Sequence, residues 1–125
     1  MQPTARAEQA RRLADTLKRQ LGPTLCGLLD AADVTEIMLN ADGRLWVDRL
    51  GQGMAPIGAM QAPVAESLVA TVASTIRSTV TRESPILECE LPLAAPFKGA
   101  RFEAIIPPVV SPGPVFSIRR RASAV

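Results

Sequence analysis

Arg101 and Arg119 are the residues of this sequence whose type and spacing point most directly to chemistry. They lie in the stretch Gly99 to Arg121, GARFEAIIPPVVSPGPVFSIRRR, where two runs with strand-like alternation flank a connection rich in proline and glycine. Paired as an antiparallel hairpin, the register that sets Phe102 opposite Ile118 also sets Ala104 opposite Phe116, so one face is uniformly apolar. The same register places Arg101 opposite Arg119 on the other face, with Glu103 and Ser117 beside them. Like charges directly across a ladder disfavour each other by up to about 1 kcal/mol, so an anion is wanted there. Glu103 supplies one as an internal counter-ion. A phosphate supplies another, because its oxygens match the planar donors of two guanidiniums.

The other polar constellations are weaker. In ILECEL, Glu88 and Glu90 share one strand face, a pattern open to acid/base or metal chemistry. With no histidine in the sequence and no third carboxylate beside them, pairing with neighbouring arginines is the better reading. The lack of histidine also removes imidazole general-base chemistry and histidine metal sites. Asn40 and Asp42 are open to ligand contact, but turn chemistry accounts for both. Cys26 and Cys89 sit far apart in apolar or strand-like contexts and read as buried thiols of a reducing compartment, not as a disulfide. No glycine-rich loop ends in Gly-Lys-Ser/Thr, and there is no GxGxxG, no Cys-x-x-Cys and no serine elbow. The sequence as it stands has no means of hydrolysing a nucleotide. A net charge of +2 is too small to argue for nucleic-acid binding.

The elements that must position these residues follow from periodicity. From Thr4 to Leu21 a helix is expected, with Thr4 as N-cap and Ala10, Leu13, Ala14, Leu17 and Leu21 on its apolar stripe. Its other side carries Arg6, Arg11, Arg12, Lys18 and Arg19, a basic face suited to solvent, an anionic membrane or a docking partner. Gly22-Pro23 stops it, and a second short helix runs from Pro23 to Ala31. Val34 to Leu39 and Arg44 to Arg49 form a hairpin about Asn40-Ala41-Asp42-Gly43, with Trp46 buried against the first helices or marking a ligand-facing rim. A third strand is expected at Met54 to Ile57, and a helix from Ala62 to Val80 with Ala65, Leu68, Val69, Val72, Ile76 and Val80 inward. Strands at Ile86 to Leu91 and in the arginine hairpin complete the order. The fold class is α+β, a mostly antiparallel sheet of about five to six strands with N-terminal helices and one long helix packed on it. The 47% of hydrophobic residues can fill one core, and with aromatics at 3% that core must be Ala, Val, Leu and Ile. A polar, mixed-charge N-terminus and the lack of a long apolar run lead to the expectation of a cytoplasmic or peripheral chain.

Three segments, EIMLNADGRLWVDRLG, RFEAIIPPVV and the ending FSIRR, resemble in their order the N-terminal domain of conjugative-transfer ATPases of the TrbB type, within the type IV secretion traffic ATPases. The resemblance extends from Leu21 to Arg121. It implies an N-terminal amphipathic helix over 1–21, the N-terminal domain over 22–121, and at 122–125 the start of a linker to an absent RecA-like ATPase domain that carries the P-loop. It implies a fragment that is not catalytic alone. The full-length parent would be a homohexameric ATPase that powers conjugative DNA transfer or type IV secretion, using ATP/ADP with Mg2+. It would sit in the cytoplasm, peripheral to the inner membrane, with inner-membrane secretion components as partners and no direct nucleic-acid binding. Carried over by motif, Arg101 of RFE and Arg119 after Ile118 reach the nucleotide phosphates, and Asn40 of MLN lies toward ribose or base. Where the family often has proline, Ala122 follows a third arginine, and alternation turns Arg119 and Arg121, not Arg120, toward the nucleotide. The competing reading is a small regulatory ligand-binding or structural adaptor domain that docks to a membrane complex.

Overall fold

The computed structural model describes residues 4–121. Helix α1 (Ala5–Asp30) leads into the hairpin β1 (Val34–Leu39) and β2 (Arg44–Arg49), then β3 (Gly53–Ala59), helix α2 (Ala62–Thr75), β4 (Ile86–Glu90), β5 (Arg101–Ile105) and β6 (Val115–Arg119). All six strands form one sheet in the order β3-β2-β1-β6-β5-β4, and every pairing is antiparallel. The expected α+β class holds.

Sequence periodicity and capping account for most of the helical structure. Thr4 caps α1 by accepting a hydrogen bond from the Ala7 amide at 3.0 Å. Gly22, at φ 81° and ψ 168°, breaks the helical path, and Pro23 starts a second segment, so α1 is two helices laid end to end. Ala14, Leu17, Leu21, Leu25 and Leu29 of both segments point inward, whereas Ala10, expected on the stripe, is exposed. Helix α2 is shorter than its apolar pattern. It ends at Thr75, Arg77 adopts φ 56°, and the amides of Ile76 and Ser78 turn back onto the Ala73 carbonyl. A left-handed residue just past the last turn is a common helix stop, and the run of Thr, Ile, Ser, Thr and Val there favours helix weakly. Ile76 is therefore exposed, and Val80 reaches the core from a loop.

Both helices and one sheet face enclose a single core. Val34, Ile37, Leu39, Leu45, Val47, Leu87, Cys89, Phe102, Ala104, Phe116 and Ile118 meet Leu17, Leu29, Leu68 and Val72 in it. Despite the low aromatic content, Phe97, Phe102 and Phe116 are all buried, and the Phe102 and Phe116 rings stack with centroids 5.6 Å apart. Asp33 accepts two 3.0 Å hydrogen bonds from Arg49 and ties the α1–β1 connection to β2. The opposite sheet face carries no helix, and its side chains are exposed or half-buried.

Candidate functional site: a charged row on the uncovered sheet face

The pairing of β5 with β6 has the register read from the sequence: Phe102 faces Ile118, Ala104 faces Phe116, and Arg101 faces Arg119. Alternation sends the first two pairs into the core and both arginines to the uncovered face. Because β6 lies between β5 and β1, and β5 beside β4, the arginine rung continues across the sheet. From edge inward it reads Glu90, Arg101, Arg119, Glu36, Asp48. Two like-charge steps, Arg101 to Arg119 and Glu36 to Asp48, therefore flank the opposite-charge step from Arg119 to Glu36.

The counter-ions are more numerous than the hairpin alone predicts. Arg101 lies 3.6 Å from Glu88 and 3.7 Å from Glu103. Arg119 lies 3.7 Å from Glu36. These separations exceed a normal hydrogen bond, so the guanidiniums are attracted to carboxylates without being locked to them. The Glu88 contact agrees with the reading of that carboxylate as an arginine partner. Glu36 was missed in the sequence, since alternation in VTEIML puts it on the open face but nothing local says that β6 lies beside β1.

Asn40 is on the same side of the sheet but not with the arginines. It follows Glu36 by four residues, roughly 13 Å at about 3.3 Å per residue, and lines a cavity of about 330 Å³ with Met38, Ile86, Glu103, Ile105 and Val115. Its backbone closes the hairpin turn: the amide donates to the Arg44 carbonyl and its carbonyl accepts from Gly43, both at 3.0 Å. Asp42 accepts from the Arg44 amide at 3.0 Å, so turn chemistry does account for it. Of the two readings of Trp46, burial against the first helices is overturned. Leu45 and Val47 take the inward positions, so Trp46 lies on the uncovered face between Met38 and Pro56, away from the helices. Its indole nitrogen is buried without a hydrogen-bond partner among the described residues.

The three consecutive arginines diverge. Arg120 turns to the helix side and donates to the carbonyls of Ala31 and, at 3.3 Å, Val34, while its amide donates to Thr35. A hydrogen bond from a charged donor is worth roughly 1.5–3 kcal/mol, so Arg120 fastens the end of β6 to the end of α1. Arg121 is exposed and its side chain lies over Gly99. Nearby, the Lys98 ammonium donates to Asp30 at 2.8 Å and holds that carboxyl below its usual range.

Another cavity, about 470 Å³, is lined by none of the five charges of this row. It lies between the β1–β2 turn, the start of α2 and the Pro112 to Pro114 loop, where a Cβ on Gly113 would come within 3.1 Å of the Ala41 carbonyl. Cys26 is half-buried and Cys89 buried, both are free thiols, and burial pushes both upward from the ordinary thiol value. Among the described residues, no group of three metal-ligating side chains comes together, and no helix is long and apolar enough to cross a membrane.

No protein-family model matches the chain. Over 112 residues, 90% of this chain and 33% of the relative, it is 49% identical to a probable conjugal transfer protein TrbB of Sinorhizobium fredii (strain NBRC 101917 / NGR234). The conjugal transfer protein TrbB of Rhizobium radiobacter gives the same identity, 49%, over the same 90% and 33%. The chain thus spans about a third of the length of these relatives. Among solved structures, the VirB11 ATPase from the Brucella suis type IV secretion system, crystallised in complex with sulphate, matches with a TM-score of 0.79. That match covers 92% of this chain and 33% of the other at 23% identity, a likeness of fold.

Proposed function

We infer, from the premise that the chain belongs with the TrbB conjugal transfer proteins over the third of their length that it covers, that it is the nucleotide-contacting and ring-forming domain of a hexameric ATPase. That ATPase powers conjugative DNA transfer or type IV secretion from the cytoplasmic side of the inner membrane. Residues 22–121 form the domain and 1–21, of which 1–3 lie outside the described residues, the amphipathic segment before it, while 122–125, also outside them, are the start of a linker to a RecA-like domain with the P-loop. The observation that carries the reading is the Arg101–Arg119 rung on the uncovered sheet face.

The donor set suits phosphate. Partners on adjacent antiparallel strands have Cα atoms about 4.5–5.5 Å apart, so two guanidinium forks can converge on neighbouring phosphate oxygens. Bound ATP with Mg2+ would supply the phosphoanhydride to be cleaved. Arg101 and Arg119 would bind and orient its phosphates, and the Asn40 amide would meet ribose or base at the other end of the face.

Catalysis then needs both domains. The 125-residue chain is expected to fold cooperatively and to hydrolyse no ATP. Turnover above background from a contaminant-free preparation would contradict the division of labour. The basic side of α1, with Arg11, Arg12, Lys18 and Arg19, is placed toward an anionic membrane surface or an inner-membrane secretion component. Screening over a Debye length of about 8 Å makes such attraction salt-sensitive. Sedimentation with vesicles should show binding to anionic lipid that fades with salt, and equal partitioning onto neutral vesicles would rule the electrostatic contact out.

A further inference from the structure

We propose that Glu36 is an internal competitor for phosphate at Arg119, a counter-ion that occupies the guanidinium until an anion displaces it and so weakens phosphate binding to this face. The proposal rests on the reading of Arg101 and Arg119 as phosphate contacts.

Three observations carry it. First, Glu36 faces Arg119 across the β1–β6 ladder and lies 3.7 Å from it, near enough to attract but without a hydrogen bond to hold it. Second, its other neighbour in the row is Asp48, a like charge directly opposite on β2. Glu36 is thus pulled toward Arg119 and pushed from Asp48, which biases its carboxylate onto the guanidinium. Third, its side chain is only 21% exposed, whereas that of Glu103, the nearest carboxylate to Arg101 on its own strand, is 51% exposed. Water screens Glu36 less, so its charge weighs more on any anion approaching Arg119. Arg119 itself is 68% exposed and open to the incoming ligand.

When phosphate oxygens reach Arg119, Glu36 must give up its partner while still facing Asp48. The price is set by this one residue, and neutralising it should tighten binding. Inorganic tripolyphosphate is the probe, titrated into the 125-residue chain at low ionic strength and followed by nuclear magnetic resonance. Glu36→Gln should lower the dissociation constant by roughly threefold to tenfold, the effect of one unit charge a few ångströms away when water screens most of it. Glu36→Thr, which suits a strand, should tighten binding in the same way and keeps the test valid if the glutamine variant folds poorly. Glu103→Gln should tighten less, and Glu66→Gln, on the exposed side of α2, should show what net charge alone does.

The double variant Glu36→Gln with Arg119→Ala decides the matter. If the gain disappears without Arg119, Glu36 acts through that guanidinium. If the gain persists without Arg119, or equals that of Glu66→Gln, or never appears, the competitor role is wrong. The phosphate reading fails separately, and takes this proposal with it, if Arg101→Ala and Arg119→Ala bind tripolyphosphate as tightly as the unaltered chain.

Discussion

Replacing Phe102 by alanine is expected to destabilise the domain by roughly 3–5 kcal/mol, which lowers Tm by about 10–25 °C for a domain of this size. The ring is fully buried near the start of β5, between Cys89 and Ile118 in the ladder, and stacks on Phe116 at 5.6 Å with 28° between the planes. Few side chains here are as large, and the surrounding Ala, Val, Leu and Ile cannot fill the hole without moving the sheet. Stacked aromatic pairs add about 0.5–1.5 kcal/mol beyond area burial, so Phe102→Leu should recover much of the loss but not all. Domains are stable by only about 5–15 kcal/mol, and the alanine variant sits near the edge of folding. A thermal melt that moves by no more than a few degrees would show that β5 does not hold the core together.

On the proposed function, Arg101→Ala and Arg119→Ala should behave in the opposite manner: each is expected to lower ATP turnover by the full-length protein by about tenfold or more, with Tm nearly unchanged. The size follows from a charge-assisted contact to phosphate, worth roughly 1.5–3 kcal/mol, if it acts in the transition state. Stability should hold because exposed ion pairs contribute a median of about 0–1 kcal/mol, and removing either arginine also relieves a like-charge rung. Lysine restores charge but not the two-toothed geometry, so Arg→Lys should rescue only part of the rate. A purely structural role for the pairs with Glu36, Glu88 and Glu103 predicts the reverse. In that case Glu103→Gln and the arginine variants would all lower Tm and leave turnover intact.

What the sequence revealed follows the range of the interactions involved. The β1–β2 hairpin and the β5–β6 register are set by alternation and local turn residues, so Val34, Leu39, Arg44 and Arg49 stand at strand ends as expected, and Arg101 faces Arg119. Sheet order is a matter of pairing distant segments. Without it, Glu36 could not be seen beside Arg119, nor could the five charges be read as one row. Arg120 illustrates another limit: alternation turned it away from the other arginines, but its carbonyl partners at Ala31 and Val34 belong to the far end of the chain. The overlong α2 and the discarded inward reading of Trp46 have local causes. Hydrophobic spacing continued to Val80 after the backbone had turned at Arg77, and of the two places open to Trp46 the inward one is taken by its strand neighbours Leu45 and Val47, which already fill the core.

The most direct measurement follows the arginine side-chain Nε–H resonances of the 125-residue chain during titration with ATP. Binding to the isolated domain is expected to be weak and salt-dependent. Arg101 and Arg119 should shift together on one isotherm, in step with each other and with tripolyphosphate as well as with ATP, while the Asn40 amide should respond to ATP alone. If both arginine signals stay fixed while others move, or if Arg44 and Arg82 respond as strongly as they do, the uncovered sheet face is not the phosphate-binding surface.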